Sequence, residues 1–356
     1  MFVTFVMRKR FSPLDKQLRL RADHWSAGAA RVAVRQGLQA NSFKLAAESF
    51  TDATGCDMSS EAMRQVTQGW GKAVAQKRKQ EMEALFDLSP GQAIEIEVVN
   101  PVVKQASLST DGGMVHVRGE GWKEVKMVTI SAVRPKKDSE KGSHPDGRRY
   151  QPYEPQMMLE NHSYQAGLWT ADQMAPYQYL EGQRRQIGQC DTVSSTNDGA
   201  GWIARITAEN FPQATQIIDW FHAAEKMWHI AKQTIADKED RTNWVNQRLD
   251  DLWWGRLTPV NAALKQVDLA QAIDPEDVEM SIGYFQRQRK RMKYHRYRIA
   301  GYPIGSGSVE SGINNVVHHR MKRQGRGWQR ENVNPMLAAL GEMHSDRFER
   351  AWAATN

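Results

Sequence analysis

From Trp25 to Leu85 apolar residues recur at three- and four-residue spacing, as in Phe43, Ala46, Ala47 and Phe50, then Ala62, Met63 and Val66. That period predicts helices with one buried face. Gly55 separates two of them, and Ser59-Ser60-Glu61 offers hydroxyl caps and a first-turn acid for the second. Helix, short glycine turn, helix is the outline of a helix-turn-helix-like unit, and equally of a plain three-helix bundle. The pattern changes near Ser89-Pro90. Residues 93–133 read as strands: AIEIEVV alternates, SLSTDGGMVHV forms one kinked strand or two, and WKEVKMVTISAV is a third β-rich run.

Residues 135–155 are polar and rich in Pro and Gly, which predicts a long surface loop. Beyond them the pattern predicts a helix over 170–187, a strand over 192–196 closed by Asn197-Asp198-Gly199, and a helix over 200–208. A strand over 214–219 and a helix over 222–236 follow. Three strands, then helix, strand, helix, strand, helix is the order of an α/β chain. Residues 237–300 read as mainly helical, with Trp244, Trp253 and Trp254 supplying core mass. A last helix is expected after the Gly-Ser-rich turn 305–308.

Composition narrows the class. The chain has 356 residues and two cysteines, Cys56 and Cys190, which excludes a disulfide scaffold and an all-cysteine zinc site. No apolar run approaches the roughly 20 residues of a membrane helix. The first residues, MFVTFVMRKR, place the apolar stretch before the basic cluster, the reverse of a signal peptide. A cytoplasmic protein without a membrane partner is expected.

The net charge of +7 is uneven. Twelve Lys or Arg and a single acid, Glu310, lie between Arg287 and Arg330, so that stretch carries +11. The other residues hold 36 basic and 40 acidic groups, a net of −4. One basic segment in a slightly acidic chain points to a polyanionic partner.

The acids suggest the chemistry. Two-metal phosphodiester enzymes need carboxylates that converge on divalent ions. Asp111 lies in the first β-run before Gly112-Gly113, where the missing side chains would let a nucleic-acid backbone approach. Asp198 closes the fourth strand, at the edge where open α/β sheets bind ligands. Glu310 sits in the first turn of the last helix, whose buried face would be Val309, Ile313 and Val316, with Asn314 on the face of Glu310. Asp219 ends the fifth strand and is followed by His222. After Glu310, Arg320, Lys322, Arg323, Arg326 and Arg330 could hold phosphates, and Trp328 and His318-His319 offer rings to unpaired bases. The cluster RQRKRMKYHRYR (287–298) could flank the same groove.

Several of these stretches resemble bacterial insertion-sequence transposases of the DDE type, in the Kra-type group of the Mutator-like superfamily. They are RFSPLDKQL (10–18), SFKLAAESFTDATG (42–55), DGGMVHVRGEGWKEVK (111–126), NDGAGWI (197–203), FPQATQIIDWFHAAEKMW (211–228) and PIGSGSVESGINNVVHHRMKRQGRGW (303–328). The resemblance implies an RNase H-like catalytic domain with a mainly helical insertion, preceded by an all-α, helix-turn-helix-like domain. The expected units are 1–88, 89–236, an insertion at 237–300, and 301–356. It implies catalytic, metal-holding acids at Asp111, Asp198 and Glu310, with Mg²⁺ or Mn²⁺, and an accessory Asp219-x-x-His222 unit. Asp219 stays an alternative second acid. Double-stranded DNA is the implied partner, both terminal inverted repeats and target, handled by a homodimer or larger synaptic multimer.

Two departures stand out. Relatives carry a cysteine-rich, zinc-ribbon-like segment before RFSPLD, where this chain has MFVTFVMRK, as a truncated copy or a misassigned start would show. Asn197 stands where Gly is expected. A catalytically silent DNA-binding derivative and an RNase H-like nuclease that does not transpose are the alternative functions.

Overall fold

A computed structural model of the chain describes residues 25–86 and 96–355. The RFSPLDKQL stretch and the Ser89-Pro90 boundary lie outside these residues.

Three helices come first: α1 (Ala27–Gln39), α2 (Phe43–Thr54) and α3 (Ser60–Phe86). Each start has a hydroxyl cap: Ser26 Oγ accepts from the Ala29 N–H, Ser42 Oγ from Leu45, and Ser59 Oγ from Ala62. Gly55 ends α2 at φ 68°, in the left-handed region that glycine adopts without steric cost. The buried positions include Ala46, Ala47, Phe50, Met63 and Val66, as the periodicity predicts.

A five-stranded mixed sheet follows, in the order β3-β2-β1-β4-β5. Strand β1 (Gln105–Val117) pairs antiparallel with β2 (Gly121–Pro135), and β2 with β3 (Met157–Gly167). Strand β1 also pairs parallel with β4 (Thr192–Asn197), and β4 with β5 (Thr215–Ile218). Helix α4 (Ala171–Arg184) precedes β4, α5 (Gly201–Asn210) links β4 to β5, and α6 (Trp220–Thr234) follows β5. The protein is thus α/β.

One predicted strand is absent. Residues 96–104 of the AIEIEVV region and its sequel form no strand, and 93–95 lie outside the described residues. Pro101 cannot donate to a ladder, and Asn100 and Lys104 take positive φ. The Val99 and Val102 N–H groups instead bond the carbonyls of Arg184 and Arg185 at 2.8 Å. The third antiparallel strand is β3, after the 135–155 stretch. That stretch is a largely exposed loop, as expected, pinned by His144 and Glu154, which are buried.

The 237–300 region is helical: α7 (Lys238–Trp253), α8 (Leu257–Lys265), α9 (Pro275–Gln288) and α10 (Tyr294–Ile299). It packs on β5 and α6 around Trp220, Trp253, Phe285 and Tyr294, with Trp244 and Trp254 at the margin. Helix α11 (Gly307–Gly312) runs on as a π-helical turn, Ile313–His318, and a last turn, His319–Met321. Helices α12 (Arg330–His344) and α13 (Phe348–Thr355) close the chain. The N-terminal helices share one apolar core with α11, α12 and the distal half of β1–β2. A third cluster fills the space between the sheet and α4–α5.

A buried charge network joins these layers. Glu181 of α4, fully buried, accepts from Arg347 at 2.8 Å and from Gln165 of β3 at 2.8 Å. Arg184 lies 3.6 Å from Glu181 and 3.5 Å from Glu342 of α12. Arg78 of α3 donates to Gln165 at 2.8 Å. Among the described residues, no helix is long and apolar enough to cross a membrane.

Candidate active site

Three elements deliver the predicted acids. Asp111 is not at a strand end: β1 continues to Val117 against β2, pairing Asp111 with Met127. Its parallel pairing with β4 stops at Leu108↔Ser195, so Asp111 stands just beyond the point where β1 and β4 part. Asn197 bridges that gap. Its Oδ1 accepts from the Thr110 N–H at 2.6 Å, and its Nδ2 donates to Ser195 Oγ at 2.8 Å.

Asp198 follows at the mouth of the same gap. Its Oδ1 accepts from the Ala200 N–H at 2.8 Å, in a turn that Gly199 completes at φ 96°. The insertion holds this turn from outside. Tyr284 Oη of α9 donates to the Asp198 carbonyl at 2.8 Å, and Gln288 Nε2 to the Gly199 carbonyl at 2.9 Å.

Glu310 arrives on α11, which lies directly on the sheet because of two glycines. A Cβ on Gly312 would stand 2.6 Å from the Tyr164 ring and 2.7 Å from Met127 Cε. A Cβ on Gly113 would stand 2.9 Å from Ile313 Cγ2. The bare backbone of Gly113 therefore admits this helix, rather than the nucleic acid expected from sequence. Val309, Ile313 and Val316 are buried, with Glu310 and Asn314 exposed on the opposite face, as predicted. The wider π turn begins directly after this helix, a feature frequent at functional sites.

Asp219 and His222 knit these pieces together. Asp219 is fully buried and caps α6. Its Oδ1 accepts from the His222 N–H at 2.7 Å and from Nδ1 at 3.1 Å, while Oδ2 accepts from the Ser306 N–H at 2.5 Å. Ser306 Oγ in turn donates to Glu310 Oε1 at 3.2 Å. Asp219 thus fixes the turn from which the Glu310 helix starts.

The electrostatics record the crowding. Burial, followed by repulsion from Asp198 and Glu310, raises Asp111 above the ordinary carboxylate range, against a bond from Gly112 and attraction by His222. The bond to Asp219 and the charges of Asp219, Asp198 and Glu225 push His222 up to about 9 despite its burial. His222 thus sits among the carboxylates of Asp111, Asp198, Asp219, Glu225 and Glu310.

The donor set suits a hard divalent cation, which prefers oxygen ligands. Asp111, Asp198 and Glu310 each leave one carboxylate oxygen without a hydrogen-bond partner among the described residues. A second set overlaps it: Asp219, His222 and Glu310 each offer a ligand atom within 4.8 Å of the others. In that set both oxygens of Asp219 also accept backbone N–H groups, from His222 and Ser306.

No protein-family model and no curated protein matches this chain.

The basic candidates divide. Lys322 and Arg326 are exposed, and Arg330 pairs with Glu120 at 2.6 Å. Arg323 is half-buried and donates to the His319 carbonyl at 2.6 Å. Arg320 does not lie on the open surface: it is 4% exposed, donates to the Gly37 carbonyl at 3.1 Å, and lies 4.4 Å from the Phe43 ring. Trp328 is half-buried, edge-on to Phe43 at 6.3 Å, and donates to the Met321 carbonyl, so its ring is committed to packing. In the 287–298 cluster, Arg298 is buried, pairs with Glu154 at 2.9 Å and lies 3.6 Å from the Trp253 ring centre. The +11 segment therefore spends part of its charge inside the protein.

Proposed function

We propose that the chain is a DDE-type DNA transposase with an RNase H-like catalytic domain, a helical insertion and an N-terminal helix-turn-helix-like unit. The single observation behind this reading is that Asp198 and Glu310, from elements far apart in sequence, both bear electrostatically on Asp111, next to the Asp219, His222 and Glu310 group whose ligand atoms lie within 4.8 Å of one another. Two antiparallel pairings followed by two parallel ones, with acids where β1 and β4 separate, support the fold assignment.

When bound by these acids, Mg²⁺ or Mn²⁺ would supply Lewis-acid stabilisation of the attacking and leaving oxygens of a phosphodiester. The chain itself positions the acids: Asn197 holds the Thr110–Asp111 backbone, Tyr284 and Gln288 hold the Asp198 turn, and Ser306 orients Glu310. His222, cationic at neutral pH, can orient a phosphate beside the site. Water, then a DNA 3′-hydroxyl, would be the nucleophiles, and no covalent protein–DNA link is needed.

The test is cleavage of a labelled terminal inverted-repeat end by the full chain with Mg²⁺. Asp111→Asn, Asp198→Asn and Glu310→Gln should each reduce nicking at least about 100-fold, the scale of losing a transition-state charge stabiliser. Nicking that survives all three would sink the site assignment. Cleavage without any strand-transfer product would leave a nuclease instead.

A further inference from the structure

A cavity of about 360 Å³ lies between the N-terminal helices and the chain that follows α11. Arg64, Arg118, Arg320, Arg323 and Arg326 line it, and no carboxylate does among the described residues. Its volume falls in the range of about 300–1,000 Å³ usual for ligand sites.

The charges here are poorly compensated from within. Glu61 offsets Arg64, with Nε to Oε2 at 2.8 Å. The other four meet neutral acceptors: Arg118 the Gly327 carbonyl, Arg320 the Gly37 carbonyl, Arg323 the His319 carbonyl, and Arg326 the Asn41 carbonyl. Arg320 is 4% exposed, and its Nη2 is buried without a hydrogen-bond partner among the described residues. Burial and the charges of Arg326 and Arg323 bring it down to about 10. Phe43 and Trp328, 4.4 and 5.2 Å from its Cζ, fix the guanidinium in place. A buried cation without a counter-charge is costly to keep. A rigid fork of N–H donors matches a phosphate.

We propose that this cavity seats a backbone phosphate diester of the bound DNA, with the flanking sugar in the remaining space. The proposal rests on the reading of the chain as DNA-binding and extends it. The phosphate supplies the missing negative charge for Arg320. Because the walls come from α2 and α3 on one side and from Arg118 after β1 and residues between Arg320 and Asn332 on the other, its arrival also adds a bridge between the N-terminal helices and the catalytic unit, which already share one apolar core.

Two measurements on the full chain in EDTA test this: melting with inorganic phosphate against chloride at matched ionic strength, and duplex-oligonucleotide binding over a salt series. Phosphate should raise the melting midpoint and compete with the duplex. In the Arg118→Gln/Arg323→Gln double variant, which spares the buried Arg320, the phosphate-dependent rise should be lost. Its salt slope for duplex binding should be shallower by about one unit. The idea fails if phosphate stabilises wild type and double variant equally, or not at all. It fails as a DNA site if phosphate stabilises but does not compete with the duplex. Cleavage in Mg²⁺ is scored separately. A normal phosphate response without cleavage would remove only the transposase reading, and cleavage without a phosphate response only the cavity.

Discussion

Asn197 reaches across from β4 to take the Thr110 N–H at 2.6 Å, at the level where the two strands stop pairing. The residue beside each partner is an acid of the proposed site, Asp111 next to Thr110 and Asp198 next to Asn197. One amide side chain therefore sets the spacing between two carboxylates. Asn197→Ala should leave the buried Thr110 N–H unsatisfied and cost about 1–3 kcal/mol in denaturant melts. Cleavage should fall by a further factor of about 100, since small misplacements carry that penalty. An unchanged rate in the folded variant would show that the bridge only stabilises the sheet.

Asp111 should limit stability where it serves chemistry. Its folded-state affinity for protons is raised, so the native state binds more protons than the unfolded chain above the ordinary aspartate range. Stability contributed by this group therefore falls as pH rises through that window. Asp111→Asn removes the burial and repulsion of the charge. It should raise the melting midpoint of the metal-free protein at neutral pH while abolishing cleavage. A lower midpoint would refute this account of the crowding.

His222 works in the opposite sense. Its folded value, about 9, lies above the ordinary histidine value of about 6.5. The stabilisation from the His222–Asp219 pair is thus fully present below about 6.5 and lost as pH rises through about 9. Melting of the metal-free protein between pH 6 and 10 should show this loss, and His222→Gln should flatten it. Proton NMR of the imidazole would locate the midpoint directly.

Glu181 anchors the buried charge network. Burial opposes its charge, but Arg347 and Arg184 hold it down at about 2. Replacing it takes one of their carboxylates from two buried guanidinium groups, leaving Glu342 to face both. Glu181→Gln should destabilise the fold by about 3–5 kcal/mol, read from denaturant melts. A loss below about 1 kcal/mol would mean that water replaces the carboxylate.

Much of this architecture was legible because it is periodic. The helices of 27–86, the strand–helix alternation after 170 and the buried face of α11 follow from spacing alone. Strand β3 was missed because MMLENHSYQAG carries polar residues into the interior. Ser163 and Gln165 are buried there, with Gln165 bonding Arg78. Arg298 and Arg320 read as surface cations because their partners, Glu154 and Gly37, lie 144 and 283 residues away. The role of Gly113 depends on Ile313 in the same way. Local sequence marks a glycine or a charge but does not name the remote group that meets it. The acids of the proposed site carried local signals, as Asp-Gly turns and a first-turn helical Glu. The residues that hold them, Asn197, Tyr284, Gln288 and Ser306, carried no comparable signal beyond the unusual Asn before Asp198.

The bonds from Tyr284 and Gln288 to the Asp198–Gly199 turn change what the 237–300 region is. A spacer could be shortened or exchanged without touching the chemistry. This one cannot, because the second carboxylate is presented by a turn whose outer carbonyls are held by α9. An α/β unit stripped of these helices would lose the clamp on Asp198 and the apolar cover over β5 and Trp220. Any partner that shifts α9 acts directly on the proposed site, through two hydrogen bonds.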